Sequence, residues 1–359
     1  MRERLFIVSC CVIAAVLSGC GRNEDRAERR KLSGRVQSHI VYVSLMQKPE
    51  AKTAYLQGER AGELCGMFNM AGVVAVTNAA VKGKFDIVVA DSDESKGASG
   101  RLAAGGVLSI IYDVKNETMS NFRKKVVGYP LQADFSRLWI LSEADWMITG
   151  TESDSKVPAA SLFDLFMNES AFEMMTSAGI SSPGDLFANY AGALKEIYGA
   201  FDTGGLDGSV RAEFFLTKEI PEIGWVDFGT LDADIAEDFS RRIRTVQVVR
   251  RLSVEGSMLS LQGQTDKAID AWSRAYARNP GDIFLVERMA VLAGNAKVFE
   301  QIGNLKGAAK CLETLVSINP QDIYSLKEYS RVALRLGMND ISKLSLERAS
   351  RLEKGMEKK

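Results

Sequence analysis

The chain has 359 residues, of which 46% are hydrophobic and 25% are charged, and its formal net charge at pH 7 is −1. This length is enough for two or three domains, and the near-neutral charge argues against a nucleic-acid partner, because binding to phosphates needs a surplus of basic residues. The chain contains a single histidine, His39, which argues against a histidine-based catalytic triad and a multi-histidine metal site. No metal is therefore expected.

The amino terminus has the features of a secretory signal. Arg2 and Arg4 precede an apolar run over Leu5–Leu17 that is short for a membrane span. The run is followed by Ser18, Gly19 and Cys20, and the pattern resembles the lipobox of bacterial lipoproteins, in which the cysteine is lipidated and becomes the first mature residue. The resemblance implies a signal peptide over residues 1–19. The alternative is a signal anchor with an incidental cysteine.

The residues after Cys20 bear on where the protein is held. In enterobacterial lipoproteins an Asp at the next position retains the protein at the inner membrane, whereas this chain has Gly21. The resemblance therefore implies a lipid anchor at the bacterial envelope, at the outer membrane or the cell surface. Residues 20–34 are dense in both charges and have no apolar face, which predicts a solvated tether.

Residues 35–152 are predicted to form an α/β domain, because short β-branched runs alternate with short helical patterns. The predicted strands are Ile40–Leu45, Thr53–Leu56, Val73–Thr77, Asp86–Ala90, Gly105–Tyr112, and an antiparallel hairpin of Arg137–Leu141 with Trp146–Thr149. A helix is predicted over Glu63–Met70. This alternation favours a parallel sheet with an antiparallel edge. Asp91 and Asp93 then follow the most apolar strand at its carboxyl end, where open α/β sheets bind their ligands.

The order of these elements resembles a known family. A strand, a turn at Gly58, a helix and a strand are followed by FDIVVADSD and LAAGGVLSIIYDV, as in the class I methyltransferase fold and, within it, the spermidine synthase-like proteins. The resemblance implies a Rossmann-like domain in which Asp91, with Asp93 beside it, takes the position of the catalytic acid that helps to deprotonate an attacking amine. It places Gly58, Gly62 and Asn78 at cofactor-binding positions. If the domain is active, its implied cofactor is S-adenosylmethionine or the decarboxylated form.

Three departures from the family predict a shortened, degenerate domain. Only Gly58 and Gly62 remain of a loop that needs closely spaced glycines to let backbone amides approach a ligand. Asn78 stands where a carboxylate should hold the ribose hydroxyls, and an amide cannot replace a bidentate carboxylate. Only eleven residues separate Asp93 from Gly105, too few for the family's helix and gating loop. For both aspartates, the alternative to catalysis is a polar turn at a strand end.

Residues 153–245 are predicted to be a mainly helical connecting region. Apolar residues at three- and four-residue spacing predict helices over Ser161–Phe166 and Ala171–Ala178. Ser182 and Pro183 are a helix-start signal, and the helix is predicted to run over Leu186–Phe201. A short strand is predicted over Val210–Leu216.

Residues 246–354 contain an internal repeat. Gly263, Gly303 and Gly337 are separated by 40 and 34 residues, and the second interval is the tetratricopeptide period. At fixed offsets after each glycine come a small residue, a large apolar residue and a further small or apolar residue: Ala268, Trp272 and Ala275; Ala308, Leu312 and Leu315; Ser342, Leu346 and Ala349. This pattern resembles about three tetratricopeptide repeats, which implies a groove that binds a protein segment.

The repeat register predicts which side chains line that groove. They are Lys297, Glu300, Gln301, Tyr324, Lys327, Arg331 and Arg335. The basic members suit an acidic segment or a C-terminal carboxylate. The alternative is a solvated helix face.

Together these patterns predict an α/β plus all-α chain, in which a shortened Rossmann-like domain precedes helical repeats. The favoured hypothesis is a membrane-anchored interaction scaffold whose α/β domain is non-catalytic. One alternative is an aminopropyl- or methyl-transferase that uses Asp91 as its general base, although export separates it from a cytosolic cofactor. A second alternative is small-ligand binding by the α/β domain.

Overall fold

A computed structural model describes residues 24–95, 97–154, 156–167, 169–197 and 220–356. The chain divides into two compact units. The first, called the α/β unit below, comprises Lys31–Arg251, and the second, called the helical unit, contains Leu252 and the residues that follow it. An α/β sheet domain therefore precedes a C-terminal all-helical region, as the sequence predicts.

A seven-stranded mixed sheet forms the centre of the α/β unit. The strands of the unit are β1 Thr53–Gln57, β2 Val74–Val76, β3 Phe85–Asp91, β4 Leu102–Asp113, β5 Ser136–Ile140, β6 Asp145–Gly150, β7 Val157–Pro158, β8 Tyr190–Ala193 and β9 Val226–Asp227. The order in the large sheet is β2-β1-β3-β4-β6-β5-β8, and β7 pairs separately with β9. The strands β2, β1, β3 and β4 are parallel, whereas β6, β5 and β8 are antiparallel to their neighbours. The predicted antiparallel hairpin is confirmed as β5 and β6.

Helices cover both faces of this sheet. Within the described ranges, those that begin in the α/β unit or before it are α1 Glu24–Gln47, α2 Ala61–Met70, α3 Met119–Val127, α4 Ala159–Asp164, α5 Glu169–Ser177, α6 Pro183–Leu186, α7 Leu194–Ile197 and α8 Ala233–Leu261. Gln47 of α1 bonds Thr149 of β6, whereas Phe122 of α3 packs edge-on against Trp146 with ring centres 5.2 Å apart. Trp146 and Thr149 are three residues apart on one strand, so α1 and α3 lie on opposite faces.

The strand predicted over Ile40–Leu45 is wrong, because these residues belong to α1. Every residue from Val36 to Gln47 is buried. A helix that is buried all round shows no amphipathic period, so a short apolar run does not distinguish it from a buried strand. α1 begins at Glu24, so part of the segment predicted as a tether is helical.

The helix predicted over Leu186–Phe201 is also wrong in part. After α6, a short turn leads into β8, which pairs with β5 in the large sheet. Gly192 has a φ of +135°, which helical geometry does not allow, and all residues from Pro183 to Tyr190 are buried. The strand predicted over Val210–Leu216 lies outside the described residues.

The outer edge of β2 is protected by side chains of α2. The N–H of Ala75 donates to Asn69 Oδ1 at 3.1 Å, and the thiol of Cys65 donates to the carbonyl oxygen of Ala75 at 3.4 Å. Unpaired backbone groups on an edge strand are the usual template for the addition of a partner's strand. At Ala75 both groups are already used.

The helical unit continues after α8 with five helices. They are α9 Thr265–Arg278, α10 Ile283–Gln301, α11 Leu305–Ile318, α12 Ile323–Arg335 and α13 Asn339–Met356. Gly263, Gly303 and Gly337 connect successive helices with φ between +75° and +77°, a conformation that favours glycine. Asp282 and Asp322 cap α10 and α12 in the same way, each accepting a backbone N–H three residues on. The repetition in the sequence is therefore matched by repeated local geometry.

Candidate functional site

Asp91 and Gly58 lie at a switch point of the sheet. Gly58 directly follows β1, and Asp91 is the last residue of β3, the neighbouring parallel strand. From β1 the chain continues to β2 on one side, and from β3 it continues to β4 on the other side. The crevice at such a reversal is where open α/β sheets bind ligands.

The carboxylate of Asp91 occupies the loop at Gly58. Gly58 has a φ of +117°, and a Cβ added to it would lie 2.6 Å from Cγ of Asp91. The carboxylate accepts hydrogen bonds from the backbone N–H groups of Glu59 and Arg60, just before α2 begins at Ala61. N–H groups at such a helix start are the donors that hold anionic ligands in α/β folds. The chain's own carboxylate therefore takes the place of an external anion.

Arg60 joins a second carboxylate to this loop. Its guanidinium forms an ion pair with Asp145 at the start of β6, and Asp145 also accepts a hydrogen bond from Ser142 Oγ at 3.1 Å. Burial raises the pKa of Asp91 above its usual value, and the nearby charge of Arg60 and the N–H groups of Glu59 and Arg60 offset this only in part.

Asp86, at the other end of β3, has the opposite shift. Burial would raise its pKa, but the N–H groups of Lys52 and Thr53 and the hydroxyl of Thr53 donate to its Oδ2 at 2.9 to 3.0 Å and hold the pKa below its usual value. The stabilisation from Asp86 is therefore present above the pKa of an unfolded Asp, about 3.9, and is lost as the pH falls through the folded value. For Asp91 the contribution is present below about 3.9 and is lost as the pH rises through its folded pKa.

The two aspartates therefore give a matched test. We expect the cost of Asp86→Asn in free energy of unfolding to shrink as the pH falls from 7 towards 3, and the cost of Asp91→Asn to shrink as the pH rises. Urea denaturation of wild type and both variants across this range measures the two slopes. Slopes of the same sign would show that the environment of one carboxylate is not as described.

The other residues predicted for this site have different surroundings. Gly62 is exposed within α2, and a Cβ added to it would contact nothing within 4 Å. Asn78 is exposed, and its Oδ1 accepts the N–H of Ala80 in its own turn at 2.8 Å. Asp93 is 85% exposed and lies 3.4 Å from Lys125 Nζ. Of the predicted set, Gly58 and Asp91 are the pair that the structure brings into contact.

Sequence reasoning missed Arg60, Ser142 and Asp145. The pattern that flags Arg60 is its place between the two glycines, where a cation at the start of a helix can reach a neighbouring strand end. Ser142 and Asp145 were predicted only as the turn of the hairpin. Because β6 runs antiparallel to β4, its first residue lies at the same edge of the sheet as Asp91.

The connection from β3 to β4 is short. Two 3-10 turns, Ser92–Glu94 and Ala98–Arg101, are the only helical segments described between the two strands. Two cavities of about 320 and 300 Å³ lie elsewhere in the α/β unit, and neither is lined by a predicted site residue. Within the described ranges, no group of three or more His, Cys, Asp or Glu side chains is placed to bind a metal ion.

The predicted groove residues lie on two helices of the helical unit. Lys297, Glu300 and Gln301 are on α10, and the other four are on α12. Nη1 and Nη2 of Arg331 lie 2.5 and 2.6 Å from the two carboxylate oxygens of Glu300, and Arg335 bonds Glu300 as well. These arginines hold the pKa of Glu300 below its usual value, with the hydrogen bond from Arg331 the largest contribution. Lys327 pairs with Glu353 at 2.5 Å, and Tyr324 is 61% exposed.

Comparison with protein-family models gave no match to this chain, and comparison with curated proteins gave none either. Among the described helices, none combines the length and the apolar character needed to span a bilayer. Cys20, the predicted site of lipidation, lies outside the described residues.

Proposed function

We propose that this chain is a lipoprotein, anchored at the bacterial envelope through Cys20, that acts as a protein-interaction scaffold through tetratricopeptide-like repeats. Its spermidine synthase-like domain is non-catalytic. The observation that supports this most is the contact of Asp91 with the Gly58 loop. A general base must be free to accept a substrate proton, and a cofactor loop must be free to receive the cofactor. Here the Asp91 carboxylate occupies the Gly58 loop, so neither the base nor the loop is free.

Two features of the helical unit support a binding role. Lys327, Arg331 and Arg335 are spaced by four residues on α12, and their side chains are 45–48% exposed. Tyr324 and Leu334 are exposed by 61% and 60% and lie along the same side of the helix. A surface that combines cations with exposed apolar groups suits an acidic protein segment.

A transferase is the second candidate, and one observation favours it. The raised pKa of Asp91, at the switch point of the sheet, is the kind of shift that general bases show. In this case S-adenosylmethionine or its decarboxylated form would bind at Gly58, and the Asp91 side chain would have to leave the loop.

Calorimetry separates the two functions. Titration of the purified chain with S-adenosylmethionine, its decarboxylated form or methylthioadenosine at millimolar concentration is expected to give no heat of binding, because Asp91 already holds the loop. Heat that disappears on Gly58→Ala would instead support the transferase.

Capture from envelope membranes tests the scaffold. A partner bound by the wild-type chain is expected to be lost with Arg331→Glu and Arg335→Glu combined, since both cations are reversed. The matched control is Arg348→Glu, an exposed position on α13. A partner that is lost equally with the control, or retained by the double variant, would contradict binding through this groove.

A further inference from the structure

Arg331 and Arg335 already hold a carboxylate, and it comes from the chain itself. Both oxygens of Glu300 face the two terminal nitrogens of Arg331, at 2.5 and 2.6 Å, and Arg335 adds a third contact to the same carboxylate. A planar guanidinium that meets a carboxylate through two parallel bonds is the geometry by which arginine recognises acidic ligands. The two arginines are thus arranged as a carboxylate site.

Glu300 occupies this site at an unfavourable helix end and beside solvent. It lies in the last turn of α10, where the negative end of the helix dipole disfavours a negative charge. Side chains of Arg331 and Arg335 are 45% and 48% exposed, so water competes for both guanidinium groups. Partial exposure screens the pair, so its net contribution to stability is smaller than the contacts alone suggest. An incoming carboxylate can therefore exchange with Glu300, because it makes the same bonds to the guanidinium groups and the released Glu300 is near solvent.

The surroundings of the pair indicate which ligand fits. Glu328, three residues before Arg331, lies 2.6 Å from it and neutralises part of its charge. A compact, multiply charged anion such as phosphate therefore has less to gain here than a carboxylate on an extended segment. Tyr324 and Leu334, both largely exposed, flank the arginines along α12. Apolar side chains next to a carboxylate are a property of an acidic peptide and not of an inorganic anion.

We propose that Glu300 is an internal competitor, and that an acidic, partly apolar peptide segment of a partner protein binds Arg331 and Arg335 by displacing it. This inference rests on the proposed scaffold function and adds to it the residue that competes with the partner and sets the affinity. Glu300 then keeps the arginines paired until a partner carboxylate replaces it, which limits the binding of weak ligands.

The test uses a fluorescent twelve-residue peptide of alternating Glu and Leu, titrated into the full purified chain and followed by anisotropy. Glu300→Gln removes the competing charge and keeps the shape, so the peptide is expected to bind about 2- to 5-fold more tightly than to wild type. Arg331→Ala and Arg335→Ala are each expected to weaken binding to the wild-type chain. Glu347→Gln, an equal change of charge at an exposed position of α13, is expected to leave the affinity unchanged.

Other outcomes separate this inference from the scaffold function. If Glu300→Gln and Glu300→Ala both bind the peptide no more tightly than wild type, while the arginine variants lose it, the groove binds acidic peptides and Glu300 is not a competitor. If the peptide binds none of these proteins while envelope capture still depends on Arg331 and Arg335, the inference is overturned and the scaffold function stands. Equal binding of free phosphate and peptide would overturn the choice of a peptide ligand. Circular dichroism of each variant shows that the helices are intact.

Discussion

Replacing Gly58 by alanine is expected to lower the free energy of unfolding by about 2–4 kcal/mol, since a left-handed backbone conformation costs a non-glycine residue of order 1–3 kcal/mol and a buried clash adds to it. Gly58 has a φ of +117°, and the new methyl group would lie 2.6 Å from Cγ of Asp91. Asp91 cannot simply rotate away, because that would leave the N–H groups of Glu59 and Arg60 without their acceptor. Urea denaturation followed by circular dichroism measures the loss.

Gly62 is the matched control, four residues further along the same loop and helix. Its φ is ordinary for a helix and a Cβ there would meet nothing within 4 Å. Gly62→Ala is therefore expected to raise the free energy of unfolding by about 0.5–1 kcal/mol, the usual gain for alanine within a helix. Combining Gly58→Ala with Asp91→Ala removes the clash but not the backbone strain, so the two costs are expected to be less than additive. If Gly58 and Gly62 respond alike, Asp91 does not shape the loop.

Sequence reasoning succeeds for the elements that are determined by local signals. The run around Ile87, Val88 and Val89 is short, β-branched and bounded by charge, and these local signals predict β3 correctly as an interior strand of the sheet. Gly303 likewise marks a helix turn through local geometry alone. Elements whose cause lies within a few residues are predictable.

Elements whose cause is distant are not. The part of α1 around Tyr42 is buried on every face. Its sequence therefore has no polar stripe that would reveal a helix. Gly192 lies in a strand although the surrounding sequence pattern is helical. The reason is that β8 pairs with β5, which is about fifty residues earlier in the chain. Propensity is a weak prior when burial is complete.

The candidate sites show the same limit. Asp91 and Gly58 are each predictable as site residues, but their mutual contact depends on the alignment of β1 with β3. In the helical unit, Glu300 and Arg331 were both predicted to face a partner, and they lie 31 residues apart in the chain. Their pairing follows from the packing of α10 beside α12. The repeat register predicts this pairing only when the charges on the first helices of neighbouring repeats are compared.

The repeat also predicts which pairs of side chains can replace one another between its helices. Gly256 of α8 lies against the buried ring of Trp272 on α9, whose Nε1 donates to the carbonyl oxygen of Ser253 at 3.0 Å. A Cβ on Gly256 would lie 2.5 Å from Cδ1 of the indole. Overpacking of this kind costs about 1–3 kcal/mol or more, against about 1 kcal/mol that alanine gains in a helix. Gly256→Ala is expected to lower the free energy of unfolding of the helical unit, whereas Gly294→Ala, with open space at its Cβ, is expected to raise it.

The second repeat has alanine at the position that corresponds to Gly256, together with a smaller side chain at the position that corresponds to Trp272. Forty residues after Gly256 and Trp272 stand Ala296 and Leu312, which share one buried cluster. Trp272→Leu alone is expected to destabilise the unit by about 2–4 kcal/mol, because it leaves a cavity beside Gly256. With Gly256→Ala the new methyl group fills part of that cavity and no longer meets an indole ring.

The double variant is therefore expected to be more stable than the sum of the single changes predicts, by about 1–3 kcal/mol in a double-mutant cycle. Urea denaturation of the four proteins provides this coupling energy, and hydrogen exchange of α8 and α9 assigns it to the helical unit. Purely additive costs would mean that the two repeats do not share a packing rule and that their common spacing reflects the turns alone. A clear coupling would show that the small residue of one helix and the large residue of the next form one exchangeable pair, which is the physical basis on which repeats of unequal sequence stack in a common register.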